Sequence, residues 1–172
     1  MIEQQSKTQT PTFKKVLIFL SEIGIAVHFK TIDYKTFLPG ISIEKGELLI
    51  DDEKLLYPGD ILHEAGHIAV VPQADRNTLD EHNIENREHR EAEEMMCIAW
   101  SYAVCVHLDI DAGFVFHDEG YKNGGSHIAE SFKQGHYFGV PMLQWTGMAL
   151  ERKNEEKPDL PIYPKMIKWL RD

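Results

Sequence analysis

The sequence predicts an α+β domain, mainly helical, with a small β-sheet or hairpin ahead of a helix that carries a His-Glu-x-x-His motif. Three observations lead there. Apolar residues recur at helical spacing from Lys14 to about Phe29 and again from Glu91 to His107. Two short β-type runs, Ile41-Ser42-Ile43-Glu44 and Glu47-Leu48-Leu49-Ile50-Asp51, flank Lys45-Gly46 in the manner of a hairpin. Pro58-Gly59-Asp60 then opens a helix that Pro72 ends.

In chain order, residues 1–12 are polar, include Thr10-Pro11-Thr12 and read as a flexible tail. The first helix is weakened in its second half by Gly24. Leu38-Pro39-Gly40 is a turn signal before the hairpin. Residues 73–90 are strongly polar and read as an exposed loop holding at most a helical turn. The next helix turns apolar after Glu94, as expected of one buried on most sides. Phe114–His117 reads as a short strand and Gly120–Gly125 as a turn. Ile128–Gln134, Val140–Ala149 and Tyr163–Leu170 read as short helices. A length of 172 residues fits one domain spanning 1–172.

A net charge of −10 and a pI near 5.3 argue against a nucleic-acid interface and against docking on anionic lipid. Met1 to Phe13 has no cationic start leading into an apolar run, and Val16 to Val27 is broken by Ser21, Glu22 and Gly24. The expectation is a cytoplasmic protein with no membrane partner. Cys97 and Cys105 on one helix would stand about 12 Å apart along its axis, too far for a disulfide, and read as free core thiols.

The chemistry concentrates in His63-Glu64-Ala65-Gly66-His67. Residues four apart share one helix face, so both imidazoles can reach one zinc ion. Glu64 then stands beside the ion, placed to take a proton from a polarised water. Apolar Ile61, Leu62, Ile68, Ala69 and Val70 put the motif in a core, and Ala65 and Gly66 permit close packing. A third histidine at the spacing His-x-x-Gly-x-x-His is excluded, because positions 70 and 73 are Val70 and Gln73. A glutamate on the following helix is the expected third ligand. Glu94 is preferred, because its face continues through the small Cys97, Ser101 and Cys105. Glu93 is second, and Glu91, His82 and His89 follow.

The motif with a helical glutamate resembles the gluzincin type of zincin metallopeptidase, and more loosely the compact bacterial ImmA/IrrE-like metallopeptidases over about residues 14–105. Trp100 and Ser101 sit at the family's offsets after the glutamate, counted from Glu94. The family's outer-shell aspartate, four residues after the glutamate, is Ile98 here. The resemblance implies a zincin-like fold, a Zn2+ cofactor and hydrolysis of a peptide or protein substrate. It also implies a His or Tyr downstream of the ligands that stabilises the oxyanion. His136 and Tyr137, between Gly135 and Gly139, are the first choice for that role, with His117, Tyr121 and His127 as alternatives. The strand Glu47–Ile50 is placed to pair with an extended substrate along the cleft. The competing function is a metal-binding regulatory module of the same fold with little turnover.

Overall fold

The computed structural model describes residues 7–152 and 157–172. Thr10 caps the first helix, α1 (Pro11–Glu22), by accepting from the Phe13 N–H, and Pro11 supplies a preset first turn. The helix stops well short of Phe29. Ile25 N–H donates to Leu20 O across Gly24, whose φ of +86° only glycine adopts easily. The β-favouring residues beyond become strand β1 (Val27–Phe29). The expected tail does not reach residue 12. Residues 1–6 lie outside the described set, while Lys7–Gln9 form a 3-10 turn with Thr8 buried.

The hairpin forms as anticipated, from β2 (Ile41–Glu44) and β3 (Glu47–Ile50). Lys45 and Gly46 both have positive φ, as a two-residue turn of primed type requires. A Cβ on Gly46 would meet the Arg76 carbonyl at 2.3 Å. β1 runs parallel to β3 and β2 antiparallel to it, giving the order β1-β3-β2.

Helix α2 (Asp60–Val70) packs on β2 and β3 and, more extensively, on α4 (Arg90–Leu108). Between them, the segment read as a loop contains α3 (Gln73–Arg76) and a 3-10 turn at Ile84–Asn86. The fully buried Phe13, Leu20, Ile43, Leu48, Ile61 and Trp100 join α1, the sheet, α2 and α4 in one core. Each such side chain contributes about 1.5–3 kcal/mol on burial.

Two more expectations are corrected beyond α4. Phe114–His117 is not a strand. Asp111 accepts from Gly113 N–H and starts a 3-10 turn, Ala112–Phe114, after which Val115 and Phe116 bury in the core. Helices α5 (Gly125–Lys133) and α6 (Val140–Trp145) follow, the latter ended by Gly147 at φ +74°. Tyr163–Leu170 is not a helix either. It runs through turns and bends that include Pro164, which lacks the N–H a helix interior needs, and it ties the end of α2 to the middle of α4. Trp100 Nε1 donates to Trp169 O at 2.8 Å, and Arg171 N–H donates to Ala69 O at 2.9 Å. Among the described residues no helix is long and apolar enough to cross a membrane.

Candidate metal centre

Helix α2 sets His63 and His67 one turn apart on the same face. Their Nε2 atoms are 3.2 Å apart and the rings meet edge to face at 89°. From the facing helix, Glu94 brings Oε2 to 3.3 Å from His67 Nε2 and Oε1 to 3.7 Å from His63 Nε2. Two ligands at about 2.0–2.1 Å from a tetrahedral ion stand about 3.3 Å apart. The spacing of the three groups therefore suits one small divalent cation. Burial pushes both imidazoles below their ordinary pKa, His67 well below, which keeps them neutral with lone pairs available.

The approach of α2 to α4 depends on small residues. Gly66 lies against Cys97, and the Ser101 hydroxyl donates to Leu62 O at 3.2 Å and to Cys97 O at 2.9 Å. The face counted forward from Glu94 is thus the face that meets the motif helix. Glu93 points elsewhere. It is buried and holds Arg87 through two bonds of 2.6 and 2.9 Å, with Arg87 also bonded to Asp75 at 3.0 Å. Glu91 and His89 are exposed at the start of α4 and do not line the cleft, whereas His82 stands on its wall.

The two histidines open on a cleft of about 630 Å³, with Glu64 in its floor and Phe37, Leu38 and Ile84 on its walls. Burial first, then the nearby Asp60, Glu81 and Glu94, push the Glu64 carboxyl up to about 8. A group so placed takes up or gives up a proton near neutral pH.

The downstream partner is not the expected one. His136 is exposed, Tyr137 packs on Phe132 and at 4.7 Å on the Tyr163 ring, and neither lines the cleft. The aromatic cluster of Tyr102, Phe132 and Tyr163 offers the Tyr137 ring more apolar contact than a polar cleft would. His127 is exposed on α5. Tyr121 reaches the site instead, with Oη 3.1 Å from His63 Nδ1. His117, four residues earlier, binds Asp60 of α2 at 2.6 Å.

Two residues carry more than the sequence showed. Asp60, read only as a helix-start residue, is 4% exposed and lines the cleft. Cys97, read as a core thiol, donates its S–H to His63 O at 3.0 Å and lies 3.8 Å from His63 Nδ1. With His63 and His67 it forms a second possible donor group, its ligand atoms all within 4.8 Å. Its sulfur approaches the Nδ1 side of His63, while the two Nε2 atoms converge with Glu94. Burial holds the thiol well above its ordinary pKa. Glu94 is therefore the better third donor for an ion on the two Nε2 atoms. The offset of three residues from Glu94 was the available signal for Cys97.

The hairpin also differs from its anticipated use. Strand β3 is central, paired on both sides, so Glu47–Ile50 has no free edge for a substrate. The edge strands are β1 and β2, and β2, which brings Ile41 to the cleft, has its Ile43 carbonyl already taken by Glu81 N–H at 3.0 Å.

No family model, no curated protein and no solved structure matches the chain. What fold and site define is an α+β protein with a two-histidine, one-carboxylate donor set in a cleft, beside a buried glutamate.

Proposed function

We propose that this protein is a metal-dependent hydrolase of peptide or amide bonds, with zinc held by His63, His67 and Glu94. The observation that carries this reading is the convergence of the three donors at 3.2, 3.3 and 3.7 Å, next to Glu64 in one cleft. Two imidazoles and one carboxylate favour zinc among the divalent cations. Zinc, when bound, supplies Lewis acidity toward a carbonyl and lowers the pKa of water to about 7. Glu64 takes a proton from the attacking water and returns it to the leaving amine. Phe37, Leu38 and Ile84 on the cleft wall offer apolar contacts to side chains of a peptide or protein substrate. The gluzincin resemblance of the motif agrees with this reading.

Glu64→Gln tests it by removing the base while leaving the three donors. Zinc stoichiometry by elemental analysis should remain near that of the wild type. Hydrolysis of an unstructured protein substrate should fall by about 10²–10⁴-fold. Turnover that survives the substitution, or a wild-type chain that takes up no zinc, would overturn the assignment.

A further inference from the structure

We infer that Tyr121 is a positioning residue for the ligand His63, and that a hydrogen-bonded clasp between Asp60 and His117 holds it there. The inference rests on the metal site proposed above and adds a second set of residues that acts on it.

The geometry is a closed circuit that begins and ends on α2. Asp60, in the first turn, accepts a hydrogen bond of 2.6 Å from His117 Nε2. The direction follows from the opposite ring nitrogen. His117 Nδ1 accepts from Gly120 N–H at 3.1 Å, which leaves the hydrogen on Nε2 to face Asp60. Tyr57 stacks on the same ring at 4.2 Å and fixes its plane. His117 thus grips α2 with one nitrogen and, with the other, closes the 3-10 turn Asp118–Tyr121. That turn delivers Tyr121 Oη to 3.1 Å from His63 Nδ1, with the Tyr121 ring edge-on to the imidazole. His63 lies three residues after Asp60, which completes the circuit.

With Nε2 of His63 turned toward His67 and Glu94, its proton resides on Nδ1 and is donated to Tyr121 Oη. This bond fixes both the tautomer and the ring orientation that a ligand needs. The phenol is mostly buried and remains protonated, so its own O–H is left over and Tyr121 lines the cleft. Asp60 argues against a purely structural device. Its Oδ2 is buried without a hydrogen-bond partner among the described residues. Such an arrangement is costly, and an apolar pair would pack at least as well.

The test is a double-mutant cycle read as zinc affinity by chelator competition, with the melting temperature of the metal-free protein measured alongside. Tyr121→Phe keeps the ring and removes the acceptor. It should weaken zinc binding by about 10–100-fold while leaving the metal-free melting temperature near that of the wild type. Asp60→Asn should also weaken zinc binding, and this loss should largely vanish in the Tyr121→Phe background, because it acts through the same hydroxyl. Zinc affinity of Tyr121→Phe within twofold of wild type overturns the inference and leaves the metal site standing. An equal Asp60→Asn loss in both backgrounds overturns the clasp. A wild-type chain that binds no zinc removes the proposed function together with this inference.

Discussion

Adjacent on α4, Glu93 and Glu94 point about 100° apart around the helix, and that rotation decides what each carboxylate meets. Glu93 is buried against Arg87, while Glu94, with a side chain 42% exposed, faces the two histidines. Their substitutions should separate cleanly. Glu93→Gln should cost about 2 kcal/mol in urea unfolding, because it weakens a charged pair in a buried setting, and should leave zinc affinity unchanged. Glu94→Gln should leave stability nearly unaltered and weaken zinc beyond the about 100-fold of an outer-shell change. The opposite pattern would reassign the ligand. The sequence pointed to Glu94 through the small residues that follow it on one face. It could not show Arg87, because nothing in a polar run indicates that its chain doubles back. Tyr121 was only one candidate of five, since a contact between residues 58 apart depends on the whole intervening path.

At the scale of elements, the contact between α2 and α4 governs the site. A Cβ on Gly66 would lie 2.5 Å from Cys97 Sγ and 3.2 Å from Cys97 O. In an exposed helix, exchanging glycine for alanine gains about 1 kcal/mol. Here the clash should reverse the sign, so that Gly66→Ala destabilises by about 1–3 kcal/mol. Adding Cys97→Ala removes the nearest atom and should recover part of the loss, leaving the carbonyl contact. Thermal unfolding of the two single variants and the double variant measures the coupling. A Gly66→Ala protein that melts above the wild type would refute the packing argument. The elements themselves were legible where periodicity and punctuation agreed, as for α2 between Asp60 and Pro72 and for the hairpin around Gly46. They were misread where local pattern met a capping device. Gly24 ended α1 early, Asp111 began a 3-10 turn in place of a strand, and Pro164 left 163–170 in turns and bends.

Across the whole molecule, the α+β class with its small sheet before the motif helix followed from the sequence. Which strand is central did not, because β1 was hidden in the tail of an apparent helix. The segment between β1 and β2, which carries Phe37 and Leu38 to the cleft, is tied back by Asp51. Its carboxylate accepts from Ile32 N–H at 2.9 Å and lies 3.6 Å from Lys54 Nζ. The Ile32 bond, aided by Lys54 and opposed by desolvation, holds the Asp51 carboxyl below its ordinary range. A carboxyl depressed in the folded state stabilises above its unfolded pKa, about 3.9, and loses that contribution as pH falls through the folded value. Asp51→Asn should therefore be less stable than wild type at neutral pH, with the gap closing below about pH 4. Urea unfolding at several pH values checks this, and a gap independent of pH would show that the charge plays no part.

The strap at residues 163–172 gives the motif helix an unusual dependence. Arg171 supplies Ala69 O with a donor through its N–H and Val70 O with another through Nη1, the latter across 101 residues of chain. These carbonyls lie in the last turn of α2, just past His67, where the helix has no donors of its own. The helix end that follows one half of the proposed donor pair thus has its carbonyls satisfied by a segment remote in the chain. Removal of that segment would leave both carbonyls without these donors at the end of α2 nearer His67, while Tyr121 meets His63 nearer the helix start.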